Sequence, residues 1–268
     1  MVLAGRFTAA VGSRAKCLAM AALLIVVAVV AGWAGFGRGG RGEGAAAQAG
    51  SAGPLLLFSS LPIYWAEAPD LAATLNDTTP QHWARRTIEA ARGLRPVDTL
   101  SAQTLASAHN LLMAQPRPLS PDENVALDNW VAGGGRLLLF ADPALTVDSS
   151  FALGDRRRPQ DIVLLSPILA RWGLRLEFDP EQAAGEHSVA LGEGASVPVN
   201  LPGRFVVVPG GRPDSACRLG AQALVAECRV GGGRVLAVAD AALFERTPDT
   251  AGEAERSAAL DALLARAF

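Results

Sequence analysis

The chain has 268 residues, room for one large domain or two small ones, and its 24 basic and 26 acidic side chains are 19% of it, fewer than an ordinary soluble protein carries. Five of the basic residues and one acidic residue precede Pro54, so the remainder is net acidic, which argues against non-specific nucleic-acid binding through a clustered positive surface. Lys16 is the only lysine. A P-loop ATPase and a Schiff-base or pyridoxal-phosphate enzyme are therefore excluded for everything that follows it.

Residues 1–16 carry Arg6, Arg14 and Lys16 and read as a cytoplasmic N-terminal tail. Residues 17–36 hold no ionisable group but the Cys17 thiol, and Leu18–Trp33 is nearly continuous Ala, Leu, Ile and Val. A helix of roughly 20 residues covers the ~30 Å hydrocarbon layer, so this segment is predicted to be a transmembrane anchor. The small-residue site Ala47-Gln48-Ala49 lies far beyond the apolar stretch, which favours a retained anchor over a cleaved signal peptide. The expected placement is a single pass through the inner (cytoplasmic) membrane, with the following domain in the periplasm. Residues 37–53, rich in Gly and Ala, read as a flexible linker. Gly37, Gly39 and Gly42 match G-x-G-x-x-G there, but no strand-to-helix turn surrounds them, and a dinucleotide site is rejected.

Residues 54–268 alternate short apolar runs with helical periodicity, the pattern of an α/β fold with a doubly wound, mostly parallel sheet. Strands are predicted at Leu55–Phe58, Leu94–Asp98, Asn110–Ala114, Leu137–Ala141 and Leu174–Phe178, with helices over Trp83–Arg92 and around Ile162–Trp172. Ser120-Pro121-Asp122-Glu123 is a capping box with proline at the first helical position, so a helix starts there; Gly133-Gly134-Gly135 stops it. Residues 180–230 carry short β segments between Gly and Pro turns and read as an antiparallel extension of the sheet. An amphipathic helix near Ala254–Ala267 closes the chain.

GGGRLLLFADPAL, residues 133–145, aligns without gaps to GGGRVLAVADAAL, residues 231–243, with nine identities in thirteen. Each copy is a turn, a buried strand and an aspartate at the strand's carboxyl end, where open α/β sheets bind ligands. Asp142 and Asp240 either share a crevice or cap the turns that follow them, capping being the commoner use. They are the candidate ligand or interaction residues, joined by Ser59 and Ser60 after the first strand, although loop serines usually cap backbone groups. Cys217 and Cys228 flank the turn residues Gly220-Ala221 and are a disulfide candidate in an oxidising compartment, with two unpaired core thiols as the alternative.

The stretch Asn110–Leu145, with its order strand, PRPLSPDE, helix and WVAGGGRLLLFADP, resembles the gliding-motility-type auxiliary domain of ABC transport systems, related to the class I glutamine-amidotransferase-like and intraflagellar-transport-like folds. LSPILARWGLRLEFD and GRVLAVADAALF, within 165–179 and 233–244, resemble two further segments of that family, except that Ala239, Ala241 and Ala242 stand where it has Gly, Ser and a second Asp. The resemblance implies a catalytically inactive accessory domain beside a permease and a separate ATPase.

The catalytic inventory points the same way. His82, His109 and His187 are scattered without metal-ligand spacing, no cysteine lies in the doubly wound part, and no G-x-S-x-G occurs. No catalytic residue, metal or cofactor is expected. The sequence thus reads as a membrane-anchored, non-catalytic accessory or interaction module of an ABC-type transport system; the alternative is an extracytoplasmic α/β small-ligand binder or hydrolase working at the carboxyl edge of the sheet.

Overall fold

A computed structural model describes residues 53–68, 80–192, 194–245 and 250–268. The predicted tail, the transmembrane span and all but the last residue of the linker lie outside the described residues. Among the described residues no helix is long and apolar enough to cross a membrane. The described residues form one compact unit.

The chain opens with strand β1 (Leu55–Ser59), helix α1 (Trp83–Ala91), strand β2 (Leu94–Pro96) and the short helix α2 (Ala102–Leu105). Strand β3 (Asn110–Ala114), helix α3 (Pro121–Ala132) and strand β4 (Arg136–Phe140) follow. Next come helix α4 (Ser166–Arg171) and strands β5 (Leu174–Glu177), β6 (His187–Gly192), β7 (Ala195–Val199), β8 (Arg204–Val207), β9 (Ser215–Gly220), β10 (Val225–Val230) and β11 (Gly233–Val238). Helix α5 (Thr250–Ala267) is last.

Seven strands form the main sheet in the order β2-β1-β3-β4-β11-β10-β9. The first five run parallel; β10 and β9 extend the sheet antiparallel. Because β1 to β2 and β3 to β4 step in opposite directions and such crossovers are right-handed, their helices cover opposite faces. Accordingly α1 packs with α5, while α3 packs with α2 and α4. Leu55, Leu56, Leu111, Leu112, Leu138 and Phe140 are fully buried between these layers.

Local signals set the helices. The side chain of His82 caps α1 by accepting the N–H of Ala84. Ser120 and Glu123 close the capping box of α3 in both directions, and Arg117 grips the same Glu123 carboxylate, holding it low, at about 2.

Two expectations need correction. The strand at residues 174–177 does not complete the doubly wound sheet; it pairs antiparallel with β8 in a separate two-stranded sheet. A central parallel strand is buried on both faces and must be apolar at every position. β5 reads Leu-Arg-Leu-Glu, which leaves one face wet, whereas β11 is buried from Val235 to Val238 and takes the place beside β4. Likewise the helix expected from Ile162 begins only at Ser166, with Pro167 in its first turn; upstream, the Val163 N–H is bound to the carbonyl of Asp142. The antiparallel region also divides: β9 and β10 extend the main sheet, while β6 and β7 form their own hairpin.

The internal match is a structural register. Arg136 pairs with Arg234, Leu138 with Leu236 and Phe140 with Val238, the same pairs that the gapless alignment gives. The glycine runs before these strands lie against each other. A Cβ on Gly233 would sit 1.9 Å from the carbonyl oxygen of Val131, so no other residue fits there.

Candidate functional site

The strand order reverses between β1 and β3, which makes their carboxyl ends the place where such sheets bind ligands. Ser59 ends β1. Its hydroxyl donates to the carbonyl of Ala114 at 2.8 Å and accepts the N–H of Leu61 at 3.0 Å. The Ser60 hydroxyl donates to the carbonyl of Gln115 and accepts the N–H of Gln160 at 3.1 Å. Both hydroxyls are therefore occupied by main-chain groups.

Gln115 was not singled out by sequence reasoning, and it is the hub of this edge. It is fully buried and sits at φ 44°, directly after β3. Its side chain accepts the N–H of Asp142 at 2.9 Å and donates to the carbonyls of Asp142 at 3.0 Å and Gln160 at 2.7 Å. The one available signal was an amide side chain placed between a five-residue buried strand and Pro116.

Asp142 and Asp240 are brought together at the ends of adjacent strands, 0% and 2% exposed. Each oxygen of Asp142 accepts a backbone N–H, from Ala144 at 2.8 Å and Ala241 at 3.0 Å. Asp240 repeats the arrangement with Ala242 at 2.7 Å and Asn200 at 3.0 Å. Burial pushes both carboxyls above the ordinary range; the charge of Asp142 pushes Asp240 further, and Glu245 adds to both. Backbone N–H donors oppose the shift without reversing it. Beyond Asp240, the buried guanidinium of Arg256 donates to the carbonyls of Ala242 and Leu243 and to Glu186. Ser60, Gln115, Asp142, Ala241, Asp240 and Asn200 thus form a transverse polar belt that joins β1, β3, β4, β11 and the end of the β6-β7 hairpin.

Within the belt Gln115, Asp142 and Asp240 are buried, while Ser60 and Asn200 are half-buried. His82 is buried and donates from Nε2 to the carbonyl of Phe244 at 3.1 Å; His109 and His187 are exposed elsewhere. Among the described residues no group of three His, Cys, Asp or Glu side chains is placed to hold a metal ion. Cys217 and Cys228 are direct partners in the β9-β10 ladder and are joined by a disulfide.

Beside the belt, Ser59 and Ser60 border an open cavity of about 560 Å³ at the ends of β1 and β2, walled also by Trp65, Glu67, Asp98 and Arg157. Asp142 and Asp240 are not among its lining residues.

No curated protein matches the chain. Solved structures resemble it only distantly. An exo-β-1,4-mannosidase from Opitutaceae bacterium strain TAV5 is 18% identical over 78% of this chain and 35% of its own, with a TM-score of 0.48. A cytoplasmic protein from Salmonella typhimurium is 10% identical over 79% and 98%, with a TM-score of 0.42. A putative ThuA-like protein from Bacteroides uniformis is 13% identical over 80% and 89%, with a TM-score of 0.36. The chain spans about a third of the mannosidase. By contrast, residues 73–215, more than half of the sequence, match the family described as an ABC-type uncharacterized transport system, and the chain belongs to that auxiliary family.

Proposed function

We propose that this protein is a membrane-anchored, non-catalytic accessory module of an ABC-type transport system, held to the inner membrane by residues 17–36 with its α/β domain in the periplasm. Family membership supports the accessory role. The observation that carries the non-catalytic reading is the state of the carboxylates. All four oxygens of Asp142 and Asp240, the residues best placed for acid-base work, accept backbone N–H groups, and neither side chain reaches solvent. An acid-base pair must come within hydrogen-bond reach of a substrate, and these carboxylates are walled off from one. The fold is then an amidotransferase-like scaffold used for interaction, since function resides in sites rather than folds.

The Cys217–Cys228 disulfide supports the periplasmic placement, because such bonds persist in oxidising compartments. The expected partners are a permease and a separate ATPase, as the domain has no lysine for a phosphate loop. Detergent extraction of a tagged full-length chain tests this reading: a permease and an ATPase should be recovered together with it. A protein released by carbonate washing, with a mature N-terminus near Gly50, would overturn the anchor.

A further inference from the structure

We infer that the amino edge of the main sheet is a docking surface for the anionic headgroups of a phospholipid bilayer. The docking rests on the membrane-anchored reading above, and its test is separate from that of the anchor.

Arg136, Arg234 and Arg229 are direct partners across β4, β11 and β10, so three arginine side chains stand in a row on one face of the sheet. All three are exposed. Like charges set opposite each other destabilise a sheet, so the fold does not require the row. Arg136 reaches the main-chain oxygen of Phe268, whereas among the described residues the guanidinium groups of Arg229 and Arg234 form neither an ion pair nor a hydrogen bond. With Arg218 and Arg266 these two line a cavity of about 400 Å³. Its single carboxylate, Glu227, is already held by Arg218 and Arg266.

The surroundings do not cancel this charge. In the connections of the main sheet at this edge, residues 92–93, 106–109, 133–135, 210–214 and 231–232, Asp214 is the one carboxylate, and Arg212 holds it. Arg171 and Arg212 share Asp128, and Arg85 holds Glu89 near the end of α1. Asp261 lies more than a turn back from the end of α5. Acid collects instead at the carboxyl edge, whose connections carry Glu67, Asp98, Asp122, Asp142, Asp148 and Asp161. A net acidic domain thus has a basic pole.

The chain enters β1 at that pole: Pro54 precedes the strand, and the N–H of Leu55 donates to the carbonyl of Gly93 at 2.8 Å. Residues 37–53 can extend over at most about 60 Å, so an anchor at residues 17–36 keeps the basic edge within reach of the bilayer surface. Guanidinium groups grip phosphate oxygens through paired N–H donors, and anionic lipid attracts basic residues close to its surface.

The full-length chain is reconstituted into nanodiscs of phosphatidylcholine alone or with about one-third phosphatidylglycerol, and arginine modification by phenylglyoxal is followed residue by residue with peptide mass spectrometry. Modification of Arg229 and Arg234 should slow at least about fivefold in the anionic discs and recover near about 1 M salt, where charge is screened within about 3 Å. Arg156, exposed at the carboxyl edge, should react alike in both. The Arg229→Gln/Arg234→Gln variant should keep its thermal midpoint, because the row is not a requirement of the fold. A chain that leaves the neutral discs counts against the anchor, whereas the docking is judged by the difference between neutral and anionic lipid. Equal modification in both lipids, slowing at Arg156 as great as in the row, stronger protection from duplex DNA added to neutral discs, or a lowered midpoint in the double variant would overturn the inference.

Discussion

The Asp142 carboxylate accepts the backbone N–H of Ala241 at 3.0 Å, tying the end of β4 to the residue that follows Asp240. One copy of the internal match thus supplies the acceptor and the other the donor, and the two parallel strands are fastened at their carboxyl ends. Each carboxylate uses both oxygens as acceptors, so asparagine cannot replace it without turning an amide donor toward a backbone donor. Asp142→Asn should destabilise the fold by about 1–3 kcal/mol, the cost of an unsatisfied buried group. The repulsion between the two acids can be removed only once, so the double Asn variant should exceed the sum of the single losses by more than about 0.5 kcal/mol. Urea unfolding of the four forms measures this, and strict additivity would show that the two carboxyls do not interact.

Stability should also depend on pH with a definite sign. Burial raises the folded-state pKa of Asp142 and Asp240, so the native state binds more protons than the unfolded chain. Their contribution is fully present below the ordinary carboxylate range and falls as pH rises toward neutrality and beyond. Glu123 acts oppositely: its carboxyl is held at about 2 by Arg117, so its contribution is present above the ordinary value and lost as pH falls toward about 2. Urea midpoints should therefore be higher near about pH 5 than near about pH 8.5, and the double Asn variant should flatten that slope. An unchanged slope in that variant would remove the buried pair as its cause.

Gln115→Ala should cost about 2 kcal/mol, because it strands the N–H of Asp142 and the carbonyl of Gln160 in a buried edge, while the Asp142 carbonyl keeps the N–H of Val163. Amide exchange should quicken around Asp142 first. A loss below about 0.5 kcal/mol, the usual size for a surface substitution, would show that the edge does not rely on this side chain.

The Cys217–Cys228 bridge closes a short loop, and Cys217→Ala should lower stability by about 2–3 kcal/mol in the chain-entropy view. Thiol labelling of the unreduced, denatured protein should reach Cys17 and leave the other two cysteines unmodified. Labelling of all three would contradict both the bridge and the oxidising compartment.

The legible part of this chain was whatever a period or a cap dictates. β4 was readable from Leu137–Ala141 as an uninterrupted apolar run, and α3 from Ser120 and Glu123. The alignment of residues 133–145 with 231–243 contained the β4-β11 register, although only the structure makes it a pairing. β5 was misplaced because an apolar-polar alternation reveals a strand but not the sheet it joins. Gln115 stayed hidden because its importance comes from Asp142 and Gln160, residues distant in sequence that nothing local announces. Asp142 and Asp240 could be named as partners, but whether they face a crevice or a backbone depends on the loop around Asn200 that covers them.

The most direct test of the non-catalytic accessory reading compares the wild type with the Asp142→Asn/Asp240→Asn double variant in one quantitative co-purification from detergent-solubilised membranes, under conditions where circular dichroism shows both folded. The predicted result is equal recovery of the same permease and ATPase with both forms. A folded double variant that loses these partners, or a wild type that purifies alone and turns over a substrate the double variant cannot, would contradict it.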